Sequence, residues 1–416
     1  MSGETTEERH PTERDILRDR HDQQEAAILR VTLTPREIAE RIRRDIVGQD
    51  DTVETLASAL HTHLLAFRLD ARDALLGDLP KQVTCLIGPS GSGKTAVVRS
   101  LAALSLLPFH IADMTQLTES GWQGTSVDDL VATLIERAWC SLRLAAWGIL
   151  ALDELDKTRT VPMSVRDISG IGAQQSLLRL ADDHGELYLH STVNSQGQSR
   201  RYSGPFPVDH LFVVAAGVFD GLDEIVARRV HGRRSIGFGT PSGDPRDDAE
   251  RRADLMSQVT HEDLVDFGLI EELVNRVTTL CVLRPLSRES LKHILRDVPG
   301  GPVRSLQRTA QAMGFTLRWT PALLDAVVEE STRTGQAARG LSTIAHRVCR
   351  RVMYEVPDRI GGTRTQTAIV TLGVDAMRDG SYRLEWRAAT PARGSVRRLV
   401  MDDAGGEGDG TQSGAG

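Results

Sequence analysis

The chain has 416 residues, enough for two or three domains, and its 40% apolar and 26% charged side chains are ordinary for a protein with a substantial core. A formal charge of −7 argues against a general nucleic-acid-binding coat, and four scattered cysteines (Cys85, Cys140, Cys281, Cys349) exclude a cysteine-rich zinc module or a disulfide scaffold. Cysteine usage of this kind fits a reducing compartment, so a cytoplasmic protein is expected; the charged first residues and the lack of an uncharged run near ~20 residues argue against a signal peptide or a membrane partner. Residues 1–32 read as a charged, mobile segment, with a short helix possible over Ile16–Leu29. Order is expected to begin at Thr34-Pro-Arg-Glu37, where Thr34 can cap a helix, Pro35 suits its first position and Glu37 completes a capping box. A second helix is predicted across Thr52–Phe67 from the spacing of Val53, Leu56, Leu60, Leu64 and Phe67.

From Val83 onward short apolar runs alternate with helical stretches, the pattern of an α/β domain with a parallel sheet flanked by helices. The runs Val83–Ile87, Ile149–Leu152 and Leu211–Ala215 are continuous, as strands covered on both faces require. Near Arg284-Pro285-Leu286 the pattern changes. Helices are predicted at Ser287–Leu295 and at Pro321–Ser331 behind a Thr320 cap, followed by a hairpin-like pair, Thr367–Leu372 and Tyr382–Trp386. The expected division is a large domain over 33–285, a smaller, mostly helical one over 286–390, and a disordered Gly-rich acidic tail over 391–416.

Gly88-Pro-Ser90-Gly91-Ser92-Gly93-Lys94-Thr95 follows one of these strands and precedes the helical Ala96–Leu107, the strand–loop–helix setting that a phosphate loop needs. Loop amides can turn inward around phosphate oxygens, and the helix N-terminus adds partial positive charge. Lys94, one of only four lysines, would reach the terminal phosphates of ATP, while the Thr95 hydroxyl would ligate Mg2+. Ile149–Leu152 ends in Asp153-Glu154, which places two acids at the carboxyl edge of the sheet. Asp153 can hold the magnesium ion and Glu154 can orient and deprotonate a water, so the pair favours hydrolysis over binding alone.

A series of segments then resembles, in order, the ClpX-type AAA+ unfoldases. They are Thr34–Ile38; Ile46-Val47-Gly48-Gln49; Gly88–Thr95; Leu117–Gly124; Leu152–Lys157; Arg166–Gly170 leading to Gln174-Gln175; Ile236–Gly239; Asp266–Ile270 with Arg276; and Thr334-Gly335 leading to Ala338–Leu341. The resemblance implies an ATP-driven homo-oligomeric ring, usually a hexamer, that pulls protein substrates through a central pore. It implies that Ile46–Gln49 lie against adenine, although these residues also suit a turn beside the core. Trp122 and Gln123 match the pore loop and Arg166 a second pore segment, with packing in the core as the other reading of Trp122. Arg276 matches the arginine finger that a neighbour supplies. Arg339 matches the second sensor, or else is a surface residue. Ile236-Gly237-Phe238 matches the tripeptide that docks on the ClpP peptidase ring, unless its two apolar side chains fold back onto the domain.

The chain also departs from the family. The four-cysteine N-terminal zinc domain has no counterpart, the basic pore-entrance loop is reduced to Arg200 and Arg201, and Ala215-Ala216-Gly217 offers no polar first sensor. Two further readings therefore stay open: a protease-independent remodelling chaperone, and a nucleotide-switched regulatory scaffold. His61 and His63 fall on different faces of a predicted helix, a poor metal site, and the arginines of 393–398 read as a solvated flank with no nucleic-acid partner.

Overall fold

The expected continuous runs form the centre of a five-stranded parallel sheet. The computed structural model describes residues 13–71, 80–117, 125–160, 167–182, 185–195, 198–231, 245–360 and 366–388. In chain order the large domain holds α1 (Glu13–Leu29), α2 (Pro35–Ile42), α3 (Asp50–Asp70), β1 (Val83–Ile87), α4 (Lys94–Ser105), β2 (Phe109–Asp113), α5 (Val127–Arg137), α6 (Leu142–Ala146) and β3 (Ile149–Asp153). It continues with α7 (Asp167–Ala181), β4 (Glu186–Ser195), β5 (Gln198–Pro207), β6 (Phe212–Gly217), α8 (Leu222–His231), α9 (Pro245–Met256), α10 (His261–Phe267), α11 (Glu271–Val274) and β7 (Thr279–Val282). The sheet order is β2-β3-β6-β1-β7, with Cys85 beside Ala215 on one side and Leu280 on the other. Every residue of β1 and β6 is buried, which is why these strands, Thr84 apart, are apolar rather than alternating. β4 and β5 form a separate antiparallel ribbon.

The Thr34 capping box is present as read: Glu37 N donates to Thr34 Oγ1 and the Glu37 carboxylate accepts from Thr34 N. In the N-terminal segment the possible short helix is present and packed as α1, while residues 1–12 lie outside the described residues. Its composition is too polar to show this; among its described side chains only Ile28 is fully buried. The helix is held instead by side chains that meet helix-end carbonyls. Gln24 Nε2 donates to the Leu106 carbonyl at 2.9 Å and His21 Nε2 to that of Trp139, and both acceptors sit at left-handed residues just past α4 and α5. Such carbonyls have no partner inside their own helix, so α1 supplies one.

The second domain comprises α12 (Arg288–Arg296), α13 (Pro302–Ala312), β8 (Phe315–Trp319), α14 (Pro321–Arg333), α15 (Ala337–Ile360), β9 (Gln366–Leu372), α16 (Ala376–Asp379) and β10 (Arg383–Ala388). Ser287 and Thr320 cap α12 and α14. The hairpin-like pair is antiparallel β9–β10, with α16 in its connection; β8, not foreseen, adds a third strand parallel to β9. The core of this domain is its own, built on Leu295, Phe315, Leu323, Val327, Leu341 and Val348.

Candidate nucleotide site

β1 delivers the chain into the Gly88–Gly93 loop at the carboxyl edge of the sheet, and Lys94 opens α4. Gly88 is buried and its N–H donates to the Gly217 carbonyl at the end of β6, while Ser90 and Ala96 are exposed and Gly93 is the cap of α4. Lys94 is only 9% exposed. Its Nζ donates to the carbonyls of Gly88 at 2.5 Å and Pro89 at 3.0 Å. Burial lowers the Lys94 pKa from the ordinary lysine value; Asp153 and Asp156 oppose that shift and Arg339 adds to it. Arg339 itself is exposed on the helix Ala337–Ile360.

Thr95 Oγ1 donates to Asp153 Oδ2 at 3.1 Å, so the two residues expected at the magnesium position are already in contact. Glu154 follows at φ 61°, a left-handed conformation that costs a non-glycine residue about 1–2 kcal/mol. Its N–H is held by Asp153 Oδ1 at 3.0 Å, and its side chain stands exposed at the sheet edge. A backbone kept in this state beside the phosphate loop is strain of the kind that collects at reacting centres.

Ile46 is buried in the large core and Val47 is half-buried, so the first half of Ile46–Gln49 does pack beside the core. Gln49 does more. Its Nε2 donates to Ser92 O at 3.2 Å and Arg284 O at 2.9 Å, and its Oε1 accepts from Arg284 N at 3.0 Å. One buried amide thus joins the phosphate loop to the junction between the two domains, and Gly48 lies against Ser290 of α12. The second domain also touches the loop: Gly91 has φ 78°, and a Cβ there would stand 3.0 Å from Ala337 Cβ, at the start of the helix that carries Arg339.

Arg276 lies apart from this cluster. It follows α11 just before β7, where Thr278 N donates to the carbonyl of Val83 at the start of β1. That is the edge of the sheet opposite the phosphate loop, about 15 Å away at ~3.3 Å per strand residue. Its Nη2 meets Asp182 Oδ1 at 2.8 Å, with the two side chains 40% and 41% exposed. An ion pair so open to water contributes at most about 1 kcal/mol, so it orients the guanidinium without locking it.

Residues 79–280 match the model of the AAA domain (Cdc48 subfamily). The chain is 31% identical over 389 residues to the ATP-dependent Clp protease ATP-binding subunit ClpX of Azotobacter vinelandii, spanning 91% of this chain and 85% of that protein. It is 31% identical over 342 residues to ClpX 3 of Methylococcus capsulatus (78% and 77% of the two chains), and 30% identical over 331 residues to ClpX of Porphyromonas gingivalis (78% of each). The chain belongs to the ClpX-type AAA+ family.

As a ClpX-type protein it is an ATPase, and its loop fits a nucleotide. Ser92 Oγ is buried without a hydrogen-bond partner, next to an ammonium at a helix N-terminus, a combination suited to an anionic oxygen. Thr95 and Asp153 offer hard oxygen donors. Mg2+ is commonly held by one or two protein groups together with phosphates, which this pair can provide. Among the described residues no cluster of three or more His, Cys, Asp or Glu could hold a metal alone.

Two buried polar residues of this ClpX-type ATPase escaped the sequence reading of the site. Asp156 accepts from Val218 N at 3.2 Å, tying the turn after β3 to the end of β6. Gln174 bridges that same turn to the chain leading to Arg276. Both stand inside motif segments, but their partners are too distant in sequence for spacing to reveal. Trp122, Gln123 and Arg166, with Ile236, Gly237 and Phe238, lie outside the described residues. No described helix is long and apolar enough to cross a membrane.

Proposed function

We propose that this chain is the subunit of a homo-oligomeric ring, a hexamer, that uses ATP and Mg2+ to unfold and translocate proteins in the cytoplasm and hands them to ClpP. The observation that carries the reading is the position of Arg276, a partly exposed arginine one strand length from its own phosphate loop. It is badly placed for its own site, which supports a role in a neighbour's. An arginine supplied in trans accelerates phosphoryl transfer by roughly 10³–10⁵ in other enzymes, and it makes hydrolysis depend on assembly.

Within a site, the loop amides and Ser92 would hold the phosphates, with Lys94 turning from the Gly88 and Pro89 carbonyls towards them. Ile46–Gln49 would border the base, and Arg339 would report the terminal phosphate from the second domain. Thr95 and Asp153 would hold Mg2+, which when bound neutralises charge on the phosphate oxygens. The Glu154 carboxylate orients a water and takes its proton. Trp122 and Gln123, with Arg166, would grip the substrate chain, since a flat aromatic side chain can hold any backbone without reading its sequence. Ile236, Gly237 and Phe238 would dock on ClpP through apolar contact.

The experiment is ATP-dependent degradation of a tagged, folded reporter with and without ClpP. Degradation that needs ClpP and is lost in Phe238→Ala, with ATPase retained, is the expected result. Unfolding without any ClpP contact in a pull-down would favour the remodelling chaperone. A chain that remains monomeric in saturating Mg·ATP would refute the ring.

A further inference from the structure

Gln174 is fully buried on α7, and its amide lies where two otherwise separate segments cross. Nε2 donates to the Thr158 carbonyl at 2.8 Å and to that of Gly268 at 3.3 Å, while Oε1 accepts from Ile270 N at 2.7 Å. Thr158 closes the turn that follows Asp153 and Glu154. Ile270 caps α11, and Arg276 stands two residues beyond that helix. The seam is reinforced by Thr160, whose N–H and hydroxyl donate to Gly268 O at 3.0 and 3.2 Å. It also requires glycine at 268: φ is 115°, and a Cβ would fall 2.7 Å from Thr160 O.

The other end of α7 holds the same arm. Asp182, just past the helix, meets the Arg276 guanidinium at 2.8 Å. That helix end is itself fixed by Lys81, whose Nζ donates to the carbonyls of Leu180 and Asp182 at 2.6 and 2.7 Å. Between the sheet, α7 and α11 lies a small apolar cavity lined in part by Leu155, Leu177, Ala181, Leu273 and Val274. Apolar packing along this seam is therefore incomplete where the polar links are dense. A buried donor or acceptor left unpaired costs about 1–3 kcal/mol, so the two segments cannot separate or slide without a penalty at Gln174.

We infer that Gln174 is a positioning residue that ties the turn beside one subunit's Asp153 and Glu154 to the arm carrying its Arg276, so that the state of one site sets the arginine offered to the next. The inference rests on Arg276 acting in trans, and mixed rings separate the two ideas. Glu154→Gln subunits keep the arginine but do not hydrolyse; Arg276→Ala subunits hydrolyse only with a neighbour's arginine. ATPase in the mixture at least 10-fold above either alone is expected, and its absence would overturn the trans reading and this inference with it.

Gln174→Met is then placed in one partner at a time. In the Glu154→Gln subunit it should remove at least 90% of the restored activity; in the Arg276→Ala subunit it should leave activity within about 3-fold. Equal loss in both placements would mean a merely structural role and overturn the inference, as would retention in both. Should Gln174→Met fold poorly by thermal melt, Gln174→Glu keeps the acceptor for Ile270 N and loses only the donor. Its deficit should be confined to the arginine-donating subunit and shrink from pH 8 to pH 6, as a protonated carboxyl recovers an O–H donor. A pH-independent or symmetric deficit would overturn the inference.

Discussion

The Thr95 hydroxyl donates to Asp153 Oδ2 across 3.1 Å, joining the first turn of α4 to the end of β3. In the proposed site these two oxygens would hold Mg2+ directly or through water. Thr95→Ala should therefore lower ATP affinity about 10-fold in the presence of Mg2+ and leave affinity in EDTA unchanged. Thr95→Ser should restore the difference. Equal affinities for parent and Thr95→Ala under Mg2+, by fluorescent-nucleotide titration, would detach this pair from the metal.

Glu154 is separable from binding. Its side chain is exposed, and Gln keeps its size and shape, so Glu154→Gln should hold ATP within about 2-fold of the parent. Turnover should fall by about 10² or more, the usual scale for loss of a general base. Steady-state phosphate release checks this, and unchanged release would remove Glu154 from the chemistry.

What could be read in advance follows how local each feature is in the chain. The phosphate loop, the acids after β3 and the Thr34 box are contiguous residues whose chemistry is complete within a few positions. β1, β3 and β6 declared themselves because burial on both faces leaves near-continuous apolar runs, broken only by Thr84 and the terminal Asp153. β8 is only five residues long, alternates Phe315 and Leu317 with exposed Thr316 and Arg318, and sits between two helices, so its periodicity is faint. α1 is placed by polar contacts to Leu106 and Trp139, partners 82 and 118 residues away. Gln174 is the clearest case, since its partners lie 16, 94 and 96 residues off and only folding brings them to one amide.

The β4–β5 ribbon is pinned where α5 begins, directly after residues 118–124. Ser191 Oγ donates to Asp129 Oδ1 at 2.6 Å, and His190 N donates to Asp128 Oδ2 at 2.9 Å. Burial pushes the Asp129 carboxyl up, but its bonds from Ser191 and Ser126 outweigh this and hold it below the usual aspartate range. The proposed grip of Trp122 on substrate, a few residues before α5 in the chain, makes this contact worth testing. Ser191→Ala should cost about 1 kcal/mol of stability, keep basal ATPase within 2-fold, and slow unfolding of a tagged reporter several-fold. Reporter unfolding at the parental rate would leave the contact a purely structural one.

The second domain leans on the phosphate loop at Gly91, and that contact predicts a specific defect. At φ 78° an alanine is strained by about 1–2 kcal/mol, and its Cβ would press on Ala337 Cβ and the Gln336 carbonyl, both at 3.0 Å. Gly91→Ala should weaken ATP binding at least 10-fold while shifting the melting temperature of the nucleotide-free protein by only a few degrees. A variant that binds ATP normally would mean that the loop and α15 separate before nucleotide enters.

Acid should unfold this protein through its buried histidines before its carboxylates matter. Burial pushes His63 down to about 4, and it does the same to His110 with help from Arg137. Burial between Trp147 and Phe212 holds the His63 ring neutral, although its Nε2–H donation to the Trp147 carbonyl at 2.9 Å opposes that shift. The unfolded chain protonates these rings near pH 6.5. Below that value it binds more protons than the native state, and stability falls with pH down to about 4, by up to about 1.4 kcal/mol per pH unit for each histidine. Asp263 acts in a lower window. Burial raises its pKa, but Arg229 and Thr260 more than compensate, so its contribution is complete above the normal aspartate pKa and is lost only below it. Urea midpoints measured from pH 7 to pH 5 should therefore drop steeply for the parent. In His63→Phe, which keeps the aromatic packing but cannot take a proton, the slope should lessen by about one proton's worth. Parallel curves for the two proteins would show that His63 is protonated equally in both states.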